Sequence, residues 1–217
     1  MSRQALILSG GWPGHQPQQT SALAKGWLEQ RDVEVAVATE LDVLTESALA
    51  GLSLIVPNWT MGELSEPQER ALVRAVEAGC GLAGWHGGMG DAFRAALQYK
   101  LVVGGQFVAH PGNVRRYRVA FAEACDPITA GLEPFEIESE QYYLHTDPSN
   151  EVLAETVFSG EPHPWLEGVR MPVAWKRRWG AGRVFYCALG HSAVDLEHPA
   201  VSAMVRRGLW WAAGAAG

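Results

Sequence analysis

The chain has 217 residues, of which 47% are hydrophobic and 19% are charged, and its formal net charge is -7 at pH 7. This length predicts one domain over residues 1–217, and the acidic balance argues against nucleic acid or an anionic membrane surface as a partner. The apolar run at residues 5–8 is too short for the core of a signal peptide or for a membrane span, so we expect a cytoplasmic protein.

Short β-rich runs alternate with stretches of helical periodicity in the first half of the chain, which is the pattern of a parallel sheet covered by helices. The predicted strands cover residues 5–9, 33–38, 52–57 and 81–85. The predicted helices cover residues 18–30, the segment between Ser65 and Gly79, and residues 91–97. Ser65 starts its helix because it is a good N-cap with Gln68 at the capping-box spacing, and Gly79 is placed to end that helix.

The second half of the chain changes to strands without full helices between them. These strands are predicted over residues 116–122, 135–143 and 151–158, and a hairpin pairs residues 172–178 with residues 183–189. An amphipathic helix over residues 199–213 closes the chain. The elements together predict the α/β class, with a mostly parallel central sheet and helices on both faces.

The segment from Gly84 to Gly88 is the most informative for function, because it ends a predicted strand with the glycines of a tight turn and has His86 at its apex. Such a turn resembles the glycine-x-nucleophile-x-glycine elbow, which lifts one reactive side chain clear of a sheet edge. An imidazole acts as a base, an acid or a metal ligand, but it does not normally form an acyl-enzyme. The segment therefore predicts the architecture of a nucleophile enzyme without the nucleophile.

Three histidines lie in loops that follow predicted strands: His15, His86 and His191. Ligands of open α/β sheets bind outside the carboxyl ends of the strands, so these loops should meet at one rim. We predict His86 as the catalytic base and His191 as its partner acid or polarising group.

Alternation along the predicted strand at residues 135–143 puts Glu138, Glu140 and Tyr142 on one face. A carboxylate and a phenol on one face can point together at a bound polar ligand, so Glu140 is predicted as the residue that orients or ligates. A solvated strand face with a packed tyrosine is the alternative interpretation of the same pattern.

Nine tryptophans and seven histidines are many for this length, and several lie beside glycine or proline. Carbohydrate sites often use flat aromatic side chains of this kind, although most tryptophans lie in cores. The predicted substrate-binding residues are His15, Trp59, His110, Tyr142, His145 and Trp175.

Histidine nitrogen and carboxylate oxygen are ligands of catalytic zinc, which keeps one coordination position open. We predict a divalent metal such as zinc at His86 and His191, with Glu140 or His145 completing the set. A metal-free pair of histidines linked through water is the alternative. No nucleotide cofactor is expected.

The three cysteines, Cys80, Cys125 and Cys187, have no Cys-x-x-Cys spacing. This arrangement predicts neither a disulfide framework nor a thiolate zinc site, and it agrees with a reducing compartment. We expect all three thiols to be free and none to be catalytic.

Several segments carry a resemblance to a known family: residues 79–88, 126–132, 139–143, 172–175, 182–186 and 189–191. With these segments, the whole chain resembles the ThuA-like family, named for a trehalose-utilisation protein and placed in the class I glutamine amidotransferase-like superfamily. The resemblance implies a flavodoxin-like three-layer fold and a role in carbohydrate catabolism. It also implies a partnership with sugar dehydrogenases that make keto-sugars.

The superfamily normally carries a cysteine at the elbow and a catalytic histidine at a later strand end, and these align with His86 and His191. The resemblance therefore implies that glutamine hydrolysis lacks its nucleophile here, and we expect no glutamine amidotransferase activity. Some relatives have a histidine where this chain has residues 57–62, which contain none, so a metal set that uses this loop is not expected.

Two functions from different classes stay open at this point. One is an enzyme that acts on a small-molecule carbohydrate, an oxidised sugar or glycoside, by proton transfer next to a carbonyl, with isomerisation, elimination or hydrolysis as the outcome. The other is a sugar-binding or accessory protein without turnover that partners a sugar dehydrogenase. A homo-oligomer is compatible with both.

Overall fold

A nine-stranded mixed sheet positions every other element in the computed structural model, which describes residues 2–122 and 126–215. Its parallel half carries five strands and its antiparallel half extends the sheet at one edge. The strands in chain order are β1 (Arg3–Gly11), β2 (Val33–Ala38), β3 (Leu54–Thr60), β4 (Gly81–Trp85), β5 (Gly105–Ala109), β6 (Val114–Phe121), β7 (Phe135–Glu140), β8 (Tyr143–Thr146), β9 (Glu151–Val157), β10 (Arg170–Trp179) and β11 (Gly182–Cys187).

The strand order is β2-β1-β3-β4-β11-β10-β9-β6-β7, and β5 pairs with β8 in a separate small ladder. Strands β2, β1, β3, β4 and β11 run parallel, whereas β10, β9, β6 and β7 pair antiparallel. The predicted hairpin is therefore the junction of the two halves, since β11 joins the parallel strands and β10 starts the antiparallel ones. The order reverses between β1 and β3, which marks the topological switch point where ligands of such sheets bind.

Helices cover both faces of the sheet, as the sequence predicts for the α/β class. The helices are α1 (Pro17–Glu29), α2 (Glu46–Leu49), α3 (Glu66–Glu77), α4 (His86–Gly90), α5 (Leu97–Val103), α6 (Ala193–Glu197) and α7 (Pro199–Ala212). Helices α1, α6 and α7 pack against one another on one face, and α2, α3 and α5 form the opposite layer. The flavodoxin-like three-layer fold is thus confirmed.

Alternation along the central strands supplies the two hydrophobic cores. In β1, Ala5 and Ile7 pack into the core beneath α1 and α7, while Leu6 and Leu8 pack into the core beneath α3. Strands buried on both faces read as continuous apolar runs in the sequence, because neither face meets water. Helix α3 begins at the predicted cap, where Ser65 and Gln68 form the capping box.

Two predicted elements are wrong. Residues 135–143 are not one strand, because the chain leaves β7 at Glu140 and residues from Tyr143 pair with β5 in the second ladder. The side chain of Gln141 holds this break by donating to the Thr156 hydroxyl at 2.9 Å. Residues 91–97 are not a helix either, because the helical turns lie on either side of them in α4 and α5.

Cys80 and Cys187 are free and buried, as predicted, and burial raises the pKa of each thiol to about 12. Such thiols are poor nucleophiles at neutral pH, because the thiolate is the reactive form. Cys125 lies outside the described residues. Within residues 2–122 and 126–215, none of the helices has the length and apolar character that crossing a membrane requires.

Two helical glycines test how closely the helices approach the sheet. A Cβ on Gly208 in α7 would lie 2.3 Å from the Phe185 ring, whereas a Cβ on Gly26 in α1 would meet nothing within 4 Å. We expect Gly208→Ala to lower the free energy of unfolding by about 1–3 kcal/mol through overpacking. Gly26→Ala should raise it by about 0.5–1 kcal/mol, because alanine loses less backbone entropy in a helix. Urea unfolding of the two variants measures both effects, and equal shifts would contradict this packing.

Candidate active site

Four side chains converge at the carboxyl edge of the parallel strands. His15 follows β1, His86 begins α4 directly after β4, and His191 follows β11. Glu140 arrives from the last residue of β7, at the far edge of the antiparallel half. One nitrogen or oxygen atom of each of these four side chains lies within 4.8 Å of the others, in an arrangement that can hold a metal ion. His15 and His191 come from opposite ends of the chain.

His86 holds a conformation that the elbow imposes. Its backbone has φ +44°, in the left-handed region, and its side chain is buried. Nδ1 lies 2.8 Å from the carbonyl oxygen of Ala188, and a carbonyl only accepts, so Nδ1 carries the proton. In the neutral ring Nε2 is then an unprotonated acceptor that faces the cluster. The Tyr142 hydroxyl donates to this Nε2 at 2.8 Å.

Three of the ligating atoms form a nearly equilateral triangle. His86 Nε2 lies 3.2 Å from Glu140 Oε2 and 3.4 Å from His191 Nδ1, and His191 Nδ1 lies 3.4 Å from the same carboxylate oxygen. Ligands bound tetrahedrally to zinc at about 2.1 Å are separated by about 3.4 Å. The triangle therefore has the dimensions of one face of a tetrahedral metal site.

His15 lies against this triangle and is held by close packing. Its Nδ1 is 2.7 Å from the Thr60 hydroxyl at the end of β3, and its ring meets the Trp12 ring edge-on at 4.7 Å. A Cβ on Gly87 would lie only 2.4 Å from Cε1 of His15. Glycine after the apex residue is thus required for His15 to reach the cluster.

The four side chains of the cluster differ in their charge at neutral pH. Burial lowers the pKa of His86, and burial together with the nearby His86 and His191 lowers the pKa of His15 to about 3, so both rings are neutral. The hydrogen bond with Glu140 raises the pKa of His191. Burial alone would raise the pKa of Glu140, but the hydrogen bond from His191 lowers it, so the carboxylate is ionised.

Asp195 holds two of the four residues in place. Its carboxylate accepts hydrogen bonds from the Ser139 hydroxyl and, at 3.2 Å, from the backbone N–H of His191. Ser139 directly precedes Glu140, so one carboxylate ties the loop after β11 to the end of β7. Sequence reasoning missed Asp195, although its spacing from the helix-capping Ser192 is a signal for a fixed position.

A small pocket of about 200 Å³ opens above the cluster. Its walls include the rings of Trp12, Phe107 and Tyr142, and Glu140 reaches into it. The Asp91 carboxylate, also in the wall, receives two hydrogen bonds from the Arg94 guanidinium, at 2.7 and 2.8 Å. Sequence reasoning missed this pair and Trp12.

The predicted site residues divide into two groups. His15, His86, Glu140, Tyr142 and His191 are brought together, and His110 lines the pocket with Nε2 3.8 Å from Glu140 Oε1. Trp59, His145 and Trp175 are not part of this arrangement.

The three exceptions have clear structural reasons. Trp175 is fully buried and donates from Nε1 to the Val103 carbonyl, so it is a core residue and not a substrate contact. Trp59 packs over Gly10, because Thr60 takes the site-facing position of β3 and neighbouring side chains point to opposite faces. His145 is exposed on β8 and lies outside the cluster, where Glu140 takes the place that the sequence analysis gave to Glu140 or His145. His15, which was not predicted as a ligand, is a fourth member of the cluster.

Comparison with known proteins identifies the family of this chain. The family profile described as ThuA, trehalose utilisation, matches residues 4–212. The chain belongs to the ThuA family. The expected relation to carbohydrate utilisation rests on this membership. Among curated proteins, none matches the chain at the sequence level.

Solved structures share the fold. A ThuA-like protein from Parabacteroides merdae has a TM-score of 0.78 at 15% identity, covering 98% of this chain and 90% of its own. One from Bacteroides uniformis has a TM-score of 0.77 at 16% identity, covering 95% and 91%. A beta-galactosidase from Bacillus circulans has a TM-score of 0.56 at 15% identity, covering 94% of this chain and 30% of its own. At these identities the likeness extends to the fold alone.

Lys100 supports the helix that carries His86. Its Nζ donates to the carbonyl of Gly90, the last residue of α4, at 3.0 Å, and its side chain is buried. Burial lowers the pKa of Lys100 to about 8. In an unfolded chain the pKa of lysine is about 10.4.

This difference predicts a pH dependence of stability. Between pH 8 and 10 the unfolded chain holds the Lys100 proton and the folded chain releases it, so this residue's contribution to the free energy of unfolding rises with pH. The slope is at most about 1.4 kcal/mol per pH unit. The free energies of unfolding of wild type and Lys100→Met are measured with denaturant at pH 7.5, 8.5 and 9.5. The contributions of the other titratable groups cancel in the difference between the two proteins. The free energy of unfolding of wild type should rise relative to that of Lys100→Met as the pH rises. A difference that stays constant with pH would contradict the lowered pKa of Lys100.

Proposed function

We propose that this protein is a carbohydrate-utilisation enzyme that binds a divalent metal at His86, His191 and Glu140 and transfers a proton next to the carbonyl of an oxidised sugar. The observation that supports it most is the triangle of 3.2, 3.4 and 3.4 Å between the three ligating atoms. Its edges match the ligand separation of about 3.4 Å in a tetrahedral zinc site.

The proton positions of the cluster favour a cation there. Since Nδ1 of His86 donates to Ala188, Nε2 is an acceptor, and it faces both the Tyr142 hydroxyl, which donates to it, and the Glu140 carboxylate, which is a second acceptor. A metal ion between Nε2 and the carboxylate would remove the repulsion between these two acceptors. The hydrogen bond to a backbone carbonyl is also the outer-shell contact that metal-ligating histidines usually make. His15 is a fourth side chain that can bind the same metal ion, because its ring nitrogen lies within 4.8 Å of the other three atoms.

The exposure of each histidine decides whether it suits binding of the metal or transfer of a proton to and from the substrate. The His86 side chain is only 1% exposed and does not line the pocket, so it suits a ligand better than a base that meets substrate. A bound divalent ion supplies Lewis acidity toward a carbonyl oxygen. His110 lines the pocket with a side chain that is 37% exposed, and we assign the proton-accepting role to it. The Tyr142 hydroxyl donates to His86 Nε2 in the structure. When a metal ion takes the lone pair of that nitrogen, the hydroxyl is free to donate to the substrate oxygen on which charge develops.

The pocket chemistry suits one sugar ring. Trp12 is 44% exposed and offers a flat ring beside His15, and the Asp91–Arg94 pair offers both an acceptor and donors to neighbouring hydroxyls. Proton removal from the carbon beside the carbonyl then leads to isomerisation when a proton is added to the former carbonyl carbon and the proton of the neighbouring hydroxyl moves to the former carbonyl oxygen, so that the carbonyl changes place. It leads to elimination when the bond to a glycosidic oxygen breaks and the alcohol leaves with a proton.

Metal content provides the first test. Protein purified without a metal-affinity tag should hold about one equivalent of a divalent transition metal, such as zinc, by elemental analysis. His86→Ala, His191→Ala and Glu140→Ala should each weaken zinc binding by more than about 100-fold, since loss of an outer-shell partner alone costs 10–100-fold. His145→Ala is the matched control and should bind as wild type. Less than a tenth of an equivalent, with activity unchanged by chelator, would remove the metal from the proposal.

Solvent exchange provides the second test, which also separates the enzyme from the accessory protein. Wild type is incubated in deuterated water with methyl glucosides oxidised at single ring positions. We expect deuterium beside the carbonyl by mass spectrometry, and His110→Ala should slow its incorporation by about 10²–10⁴-fold. His145→Ala should not slow it. Binding of the same compounds without exchange or product would favour the accessory protein.

A further inference from the structure

The pocket above the cluster is too small to hold a typical ligand alone. Its volume is about 200 Å³, below the range of about 300–1,000 Å³ that ligand sites usually have. A second cavity, a groove of about 600 Å³, is bounded by the turn after β5 and by the loop that carries Leu166. Phe107 and His110 line both cavities. The groove therefore adjoins the pocket at these two residues.

The two cavities differ in chemistry. The pocket presents charged groups for hydroxyls in Asp91, Arg94 and Glu140. Among the described residues that line the groove, none is an aspartate, glutamate, lysine or arginine. Phe107, Pro111, Tyr143 and Leu166 give the groove a largely apolar wall. Burying a ligand hydroxyl there without a hydrogen-bond partner would weaken binding, whereas burying an apolar group would strengthen it.

A pair of stacked aromatic rings, one of which lines the groove, lies at its wall. His163 lines it, and its ring stacks on Trp165 at a centroid distance of 5.3 Å and an interplanar angle of 20°. Trp165 is 78% exposed, which is unusual for so large an apolar side chain. Flat rings of this kind favour an aromatic ligand, because a pair of aromatic rings is stabilised by more than the burial of its apolar area alone.

From these observations we infer that the groove is an aglycone subsite and that the substrate is a glycoside with an aryl aglycone, whose sugar ring lies in the pocket and whose aromatic group lies against Phe107, Tyr143 and Leu166. This inference rests on the proposed function, because it takes the pocket as the sugar site. It adds the part of the substrate that the pocket does not hold. In the elimination of the proposed function, the phenol is the alcohol that leaves.

Binding of unreactive glycosides tests the subsite. Isothermal titration calorimetry with the full chain compares phenyl glucoside, methyl glucoside and trehalose, using both anomers of the first two. Phenyl glucoside should bind at least about tenfold more tightly than methyl glucoside, because only its ring reaches the apolar wall. In Leu166→Asn and in His163→Ala, the ratio of the two affinities should fall toward one. Val37→Asn, at an exposed apolar position on the edge strand β2, is the matched control and should keep the wild-type ratio.

The outcomes distinguish a failure of the aryl subsite from a failure of the proposed function. Equal affinities for phenyl and methyl glucoside, or tighter binding of trehalose than of phenyl glucoside, would overturn the aryl subsite and leave the sugar pocket standing. A phenyl preference that survives in both groove variants, each shown to be folded by its thermal transition, would also overturn it. If none of the glycosides binds to wild type, both the subsite and the sugar pocket of the proposed function are wrong.

Discussion

The hydrogen bond from Nδ1 of His86 to the carbonyl of Ala188 is the contact on which the site depends. It joins the turn after β4 to the end of β11 across the middle of the sheet, and it decides which ring nitrogen of His86 faces the cluster. Because a carbonyl accepts and cannot donate, Nε2 is left with a lone pair beside the Glu140 carboxylate. The chemistry of the cluster follows from this one tautomer.

The elbow serves a different purpose here from the one its shape suggests. A glycine-rich, strained turn of this kind presents a nucleophile in enzymes that use the elbow. In this chain the apex side chain is buried, and the following glycine lets the His15 ring approach it. The strained turn thus brings two histidines together, which suits a metal-ligating or proton-transferring cluster.

The antiparallel half of the sheet completes the site from the other side. It extends the parallel strands by four, and its last strand ends at Glu140. Asp195 then ties Ser139 to the backbone of His191, so that the two halves hold their ligating atoms at 3.4 Å. The break after Glu140 also sends the chain to β8 and leaves Tyr142 stacked on His86 with ring centroids 4.1 Å apart.

Local pattern was enough to predict the parallel strands, helix α3 with its capping box, the hairpin and the meeting of His86 and His191 at one edge of the sheet, because apolar periodicity, caps and glycine turns act over a few residues. It was not enough for Trp175, which looks like a binding residue beside cations but is fully buried in the core. Nor did it predict the strand break after Glu140, the place of His15 as a fourth member of the possible metal-binding set, or the positions of Asp195 and the Asp91–Arg94 pair. These depend on contacts between segments far apart in the chain, which only the tertiary structure decides, since a strand's neighbours and the face it presents are set by packing and not by its own residues.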